Sequence, residues 1–525
     1  MQERSTRREF IKRVSQLALG ATAGYHLLTE PAQAKSHYKL GDWTGDDFKM
    51  GHRLRDLKLP KAPQFADKTV DVVILGGGLA GLATAHFLKD RDFLLLEQYD
   101  QFGGQSRGSS YKGIGYSYGA AYYNDQEGNL AALVSDLGLS PTKLEEDKNA
   151  WYYQESFIKK SKNKDHIIFK ELARLKESVD KFNRDLKCTV LDSYKDSTEL
   201  QRLDSVKMKT LLTGYDPEFV RLLDSYMKSS FCGSTARVSA LAGLYLADDL
   251  FSPSYVLPGG NQAITKALSK RLESSARDSL SRGCFIWSVE LKENGASIVY
   301  QDSKRRMRRV DANHVVVALP HMISARVMSN LDDRTKSALF RFRYGSYLVA
   351  NLLLNKRVFE EAYDSWFTQP FDFSDITLAD TPYIRSGNAT KDGASVLTVY
   401  QPYQPGSIGR TLLYKGDRKA MAKSVVEQVS KVVPELDGAL EEVVLSRWGH
   451  ALPVPTLEFY KRLALLRSLE GDNFTFAHSS SQCMSCAEAA VDAATRAAAK
   501  LNGKKKEAYK IYSHSRYTST SGAEL

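Results

Sequence analysis

Three glycines at the spacing G-x-G-x-x-G, Gly76, Gly78 and Gly81, stand between the apolar run Val70 to Leu75 and a segment with helical periodicity. A second apolar run, Phe93 to Leu96, ends on Glu97, 21 positions after Gly76. Each residue type has a chemical reason to be there. The first glycine permits a tight strand-to-helix turn, the second lets a pyrophosphate approach the backbone, and the third lets the helix pack close to the strand. The helix N-terminus offers free N–H groups and the positive end of its dipole to phosphates. A carboxylate at the tip of the second strand accepts hydrogen bonds from ribose hydroxyls and argues against NADP, whose 2′-phosphate wants an arginine. The order of strand, glycines, helix, strand and acid predicts a bound dinucleotide. Two further groups could do chemistry. Trp448 and His450 follow a strand in the run Arg447-Trp448-Gly449-His450. Cys483 and Cys486 form a C-x-x-C pair, which can be two small buried residues at the mouth of a helix, a structural disulfide or a redox dithiol. No second C-x-x-C or H-x₃-H pair accompanies it, so no metal site is expected.

The elements that must position these residues alternate between two patterns. Residues 70–97 are one βαβ unit, the start of a Rossmann-like α/β domain. Cys284 to Leu291 and Ser297 to Gln301 predict a hairpin closed by Asn294-Gly295. His314 to Leu319, ending at Pro320, and Asn473 to Ala477 predict further strands, and Ala487 to Ala498 a helix of small residues. Between these pieces the pattern changes. From about 126 to 250 it is helical, with Ile168, Leu172, Leu175, Val179 and Phe182 at 3–4 spacing. From 331 to 440 it mixes strands (Ser346 to Leu354, Ser395 to Tyr400) with a helix (Arg418 to Val433). The fold class is α/β, a Rossmann-like dinucleotide domain (70–130, 255–330, 441–502) interleaved with an α+β substrate domain (131–254, 331–440).

The run Gly103-Gly104-Gln105-Ser106-Arg107 extends the glycine motif, and this stretch resembles the FAD-binding motif of the flavin-containing amine oxidase superfamily. Further segments follow in family order. Gly119-Ala120-Ala121-Tyr122-Tyr123 looks like the segment that passes beside the flavin. Pro258-Gly259-Gly260 precedes a helix. Ala487 to Ala498 follows the family's x-x-G-A-x-x-S-G-x-x-A-A. The W-x-H pattern of Trp448 and His450 is similar to bacterial spermidine dehydrogenase-like members. The resemblance implies FAD as cofactor, held by Gly76, Gly78, Leu79, Ala80, Gly81, Glu97, Gln98, Gly103, Gly104, Gln105, Arg107, Ala120, Ala121, Tyr122, His478, Glu488, Ala489 and Ala490, with backbone groups of Val289 on the adenine. It implies catalytic positions at Trp448 and His450, and the N-terminus of the 487–498 helix pointing at the flavin ring. The chain departs from the family where Ala477-His478-Ser479 replaces Ala-Gly-Glu, where alanines replace two helix glycines, and where the flavin-side lysine has no counterpart. The expected activity is hydride transfer from an amine or polyamine to flavin N5. The alternatives are a desaturase or isomerase of a hydrophobic molecule, or a non-catalytic FAD-containing partner.

The first 34 residues are expected to be an address. Thr6-Arg7-Arg8-Glu9-Phe10-Ile11-Lys12 matches the twin-arginine pattern, and a weakly apolar segment leads to Ala32-Gln33-Ala34. The twin-arginine translocase carries folded proteins, so a periplasmic or secreted flavoprotein is expected, reoxidised by oxygen or a periplasmic carrier. Residues 35–69, punctuated by Pro60 and Pro63 and carrying Trp43 and Phe48, are expected to be an N-terminal arm packing on the surface, of unassigned role, and 503–525 a basic tail. The net charge of +11 on 525 residues comes without an Arg/Lys helix interleaved with aromatics, so no nucleic-acid partner is expected. Five cysteines are too few for a disulfide framework. Tyr383, Tyr400, Tyr403, Trp366 and Phe367 are candidates for a pocket wall.

Overall fold

The run Lys68–Leu75 forms a strand buried along its last four residues, and Phe93–Leu96 lies parallel to it with Ile74 opposite Leu95. Such runs of Val, Ile and Leu without alternation suit a strand covered on both faces. The first sheet runs in the order Leu280–Ser281, Phe93–Leu96, Lys68–Leu75, Met307–Val317, Gly295–Gln301, Phe285–Lys292, and Phe474–Phe476 also pairs with Met307–Val317. Its central pairings are parallel; the expected hairpin adds the antiparallel flank. Helices Leu79–Phe87 and Ala487–Leu501 pack together on this sheet through Leu82, Ala83, Ala490, Val491, Ala494 and Ala497, all buried. Small side chains let the two backbones come close.

A second sheet runs Leu440–Trp448, Ser346–Leu354, Ser395–Tyr403, Asp375–Leu378, Asp364–Trp366, Asn149–Tyr153, Ser156–Ile158. Its central strand, Ser346–Leu354, is buried at every position, so alternation disappears. Helices Ile167–Asp185, Pro217–Phe231 and Ala240–Ala247 contribute to the large core that includes Val349 and Trp366 of this sheet. Each fully buried Leu or Phe there contributes about 1.5–3 kcal/mol. Two expectations shift. The strand Leu440–Trp448, expected with the dinucleotide piece, pairs with Ser346–Leu354 in the second sheet. The helix expected to reach Val433 ends at Val429, before a short turn at Pro434–Leu436.

This is a computed structural model that describes residues 37–124, 128–145, 148–185, 190–482 and 484–503. The twin-arginine segment, Cys188, Cys483 and residues 504–525 lie outside the described residues. Every feature below belongs to the compact unit Leu40–Leu525.

Candidate functional site

The carboxyl ends of three parallel strands meet at one cavity of about 550 Å³, lined by Gly76, Gly78, Leu96, Glu97, Ala318 and Pro320. Ligands of open α/β sheets bind at such an edge. The opposite wall comes from the second sheet, through Tyr347, Val349, Asp375, Tyr400 and Trp448.

The glycines divide their roles as their chemistry requires. Gly76 has φ +100°, and a Cβ there would lie 2.7 Å from the Ala318 carbonyl oxygen. A Cβ on Gly81 would lie 1.8 Å from the Gly76 carbonyl oxygen, so Gly81 serves helix–strand packing, and it does not line the cavity. A Cβ on Gly78 would meet nothing nearer than Gly104 Cα at 3.8 Å. Gly78 and Gly104 thus leave a bare cradle, and helix Leu79–Phe87 starts there without a side-chain cap on its N–H groups. That is the donor set a pyrophosphate needs. Leu79, Ala80, Gln98, Gly103 and Gln105 line the same cavity.

Glu97 is buried, and both its oxygens are engaged. Oε2 accepts from the Gly77 N–H at 2.7 Å and Oε1 from the Tyr99 N–H at 2.8 Å. Burial raises its carboxyl; those N–H groups and Arg107 oppose the shift. Arg107 donates to the carbonyls of Gly104 (3.0 Å) and Gly45 (2.9 Å), and its guanidinium lies 4.5 Å from the Tyr99 ring centroid. Val289 is not on the cavity. Its carbonyl accepts from the Ser329 N–H at 2.9 Å, and the part of its strand that lines the cavity is Phe285 and Ile286. A register shift between Ile286 and Ser288 separates the two stretches, an irregularity invisible in the sequence pattern.

Ala120, Ala121 and Tyr122 line the cavity, as do Ala487, Glu488 and Ala490; Ala489 does not. Ala489 instead gives its N–H to Cys486 Sγ at 3.4 Å, so Cys486 caps this helix in place of a hydroxyl. Burial and then Glu488 hold the Cys486 thiol well above its usual range, so it is not poised as a thiolate. Glu488 Oε1 accepts from the Asn124 N–H at 2.7 Å. His478 Nδ1 pairs with Ser480 Oγ at 2.7 Å, and burial lowers its imidazole to about 4. Trp448 donates through Nε1 to the Tyr118 carbonyl at 2.8 Å. His450 lines the cavity with its imidazole lowered to about 3, by burial first and then by Arg410, His52 and Arg326. Both histidines are therefore neutral at pH 7.

Among the residues that the sequence pattern missed are acids. Asp375 lies on the cavity wall, receives a hydrogen bond from Ser374 Oγ, and is raised to about 7 by burial. Around it stand Tyr347, whose hydroxyl pairs with Ser229 Oγ at 2.9 Å, and Tyr400, which donates to the Gly119 carbonyl at 2.9 Å. Asp249 and Tyr226 line the same wall. Asp364, next to this wall, is raised well above its usual range by burial and then by Asp375, and its Oδ1 has no hydrogen-bond partner among the described residues. An acid inside the strand Asp375–Leu378 was the only sequence signal. Asp46, from the N-terminal arm, also faces the cavity and accepts from the Gly449 N–H at 2.9 Å. Of the expected wall aromatics, Tyr400 alone lines the cavity. Trp366 and Phe367 are buried core, and Tyr383 accepts from the Gly115 N–H at 2.8 Å. No lysine among the described residues lines the cavity.

A glycine cradle with a buried acid beside it, at the edge of an α/β sheet and faced by a wall from a second sheet, marks a dinucleotide site. The model of the family described as flavin containing amine oxidoreductase matches residues 79–502, and the chain belongs to that family, with FAD as its cofactor. Among individual relatives, the oxidoreductase PigB of Serratia sp. is 24% identical over 363 residues, covering 57% of this chain and 54% of PigB. Amine oxidase [flavin-containing] B of Sus scrofa is 21% identical over 278 residues, 49% of this chain and 51% of that protein. The chain thus spans about half the length of these relatives. Wild-type putrescine oxidase bound to putrescine shares the fold with a TM-score of 0.65 at 16% identity, over 83% of this chain and 99% of that one. Cyclohexylamine oxidase from Brevibacterium oxydans does so with a TM-score of 0.65 at 17% identity, over 83% and 99%.

Proposed function

We propose that this protein oxidises an amine, and that a diamine or polyamine suits its cavity best. The observation that carries the substrate class is the buried carboxyl of Asp375 on a tyrosine wall. A buried carboxylate is costly unless a cation accompanies it, and tyrosine faces attract cations. An ammonium group placed there would ionise Asp375 and be held by it. A desaturase for an apolar molecule would gain nothing from these acids and would have to desolvate them.

Bound FAD supplies the hydride acceptor at its N5. The chain supplies the rest. Gly78, Gly104 and the first N–H groups of helix Leu79–Phe87 would hold the pyrophosphate, and Glu97 would serve the ribose end. The N-terminus of helix Ala487–Leu501 lines the cavity, and its dipole would favour negative charge on a flavin ring bound there. The reacting amine must be neutral for its lone pair to assist, and an end lodged out of water and away from Asp375 would favour its neutral form. His450, a neutral imidazole, adds no opposing charge. Oxygen or a periplasmic carrier would reoxidise the flavin, and residues 1–34 would direct export of the folded protein. Lysines in place of Arg7 and Arg8 should abolish export, and unaltered export would remove that reading.

The test of the substrate class compares diamines with monoamines of equal chain length. Diamines should show the higher kcat/KM by at least tenfold. Equal values for both series would count against a second ammonium site.

A further inference from the structure

The segment Thr44–Asp56 precedes the part of the chain matched by the family model, which begins at residue 79, yet it supplies a wall of the dinucleotide cavity through Asp46, Phe48, His52 and Arg55. We propose that this arm is a clamp that slows release of FAD. The proposal rests on the assignment of FAD to the cavity and does not depend on the substrate.

The arm is fastened at both ends of the cleft. At one end Thr44–Gly45 adds to the edge of Leu440–Trp448, with Ser446 opposite Thr44, and Thr44 Oγ1 pairs with Ser446 Oγ at 2.6 Å. Asp46 accepts from the Gly449 N–H at 2.9 Å, and Phe48 covers Gly449, where an added Cβ would lie 2.6 Å from its ring. At the other end helix Phe48–Asp56 lies on the first sheet. Arg53 sits 4.3 Å from the Phe285 ring centroid and 5.0 Å from that of Trp287, and donates to Gln301 Oε1 at 2.6 Å. Met50 and Leu54 pack on the same patch. The arm therefore bridges the two sheets on the side where Phe285, Ile286 and Glu97 line the cavity.

It also grips a residue of the cofactor motif. Arg107 Nη2 donates to the Gly45 carbonyl, and the Asp47 N–H donates to the hydroxyl of Tyr99, over which Arg107 stacks. Opening the arm would free the Arg107 side chain and expose the cleft together. Arg107 and Tyr99 belong to the matched segment, but the Gly45 carbonyl and the Asp47 N–H that engage them precede it in the chain.

The experiment uses the flavin-loaded full chain. Arg53→Ala removes the contact with Phe285 and Trp287; His52→Ala removes a cavity-lining ring whose other ring neighbours are Phe48 and Tyr414. After dilution, release of FAD is followed by the rise in flavin fluorescence, and the melting temperature is measured with and without excess FAD. The clamp predicts release at least fivefold faster in both variants, and a fall in melting temperature that excess FAD reverses, as mass action requires. Release within twofold of the parent in both variants would overturn the proposal. So would a fall in melting temperature that saturating FAD leaves in place, since that marks an arm needed only for folding. Failure of all amines as substrates would leave these outcomes unchanged.

Discussion

Glu97 Oε2 accepts the N–H of Gly77 at 2.7 Å, joining the acid at the tip of one strand to the glycine turn at the tip of its neighbour. The same carboxylate takes the Tyr99 N–H, so it shapes the loop after its strand while lining the cavity. Replacing Glu97 with Ala strands two backbone donors. Each stranded donor costs about 1–3 kcal/mol. FAD affinity should fall by tenfold or more, measured as flavin in the ultrafiltrate of purified protein. Unchanged retention would remove Glu97 from the cofactor site.

Gly78 and Gly81 should fail differently. A Cβ at Gly81 would collide with the Gly76 carbonyl at 1.8 Å, whereas one at Gly78 has 3.8 Å of room before Gly104. Gly81→Ala should therefore reduce soluble yield and melting temperature. Gly78→Ala should fold and lose FAD. Circular dichroism with flavin absorbance separates the two; matching behaviour would contradict the division of roles.

Buried neutral histidines set an acid limit. His321 and His450 are lowered to about 3 and His478 to about 4, all by burial first. Between these values and the ordinary 6.5 of an unfolded chain, the unfolded state binds more protons, so stability rises with pH there. The contribution of these rings to stability should be complete above pH 6.5 and drop steadily from pH 6.5 toward 4, read by denaturant midpoints. His478→Gln should flatten that slope. A midpoint flat between pH 4 and 6.5 would contradict burial of these rings in neutral form.

Asp375 gives the opposite sign. Its folded value of about 7 stands above the 3.8 of the free side chain. The folded state keeps the proton between those values, so the stabilising contribution is present below pH 3.8 and lost as pH rises through 7. Asp375→Asn should melt higher than the parent at pH 8 and close to it below pH 4. It should also lower kcat/KM for diamines by about 30-fold or more, the scale of removing one partner of a buried charge pair, with a smaller change for monoamines. Equal losses on both series would assign Asp375 to packing.

The dinucleotide half was legible because its demands are local. A tight turn needs Gly76, a close backbone approach needs Gly78, and doubly covered strands show as unbroken apolar runs. The substrate half depends on pairings across hundreds of residues, which no window reveals. Val289 illustrates one limit, since an irregularity at Ile286–Ser288 shifts which residues face the cleft. Asp375 illustrates another, because a buried acid in a short strand looks like a surface residue until Tyr347 and Tyr400 close over it. The arm gave only Trp43, Phe48 and two prolines as signals, and its role rests on partners at Gly449, Tyr99 and Arg107.

The central claim, oxidation of an amine by FAD held in this cavity, is tested most directly by anaerobic mixing. The flavin-loaded protein is combined with a panel of diamines, polyamines and monoamines while the flavin absorption is followed. Bleaching by at least one amine, fastest with a diamine or polyamine, is the predicted result. A flavin that dithionite bleaches but no amine reduces would contradict it.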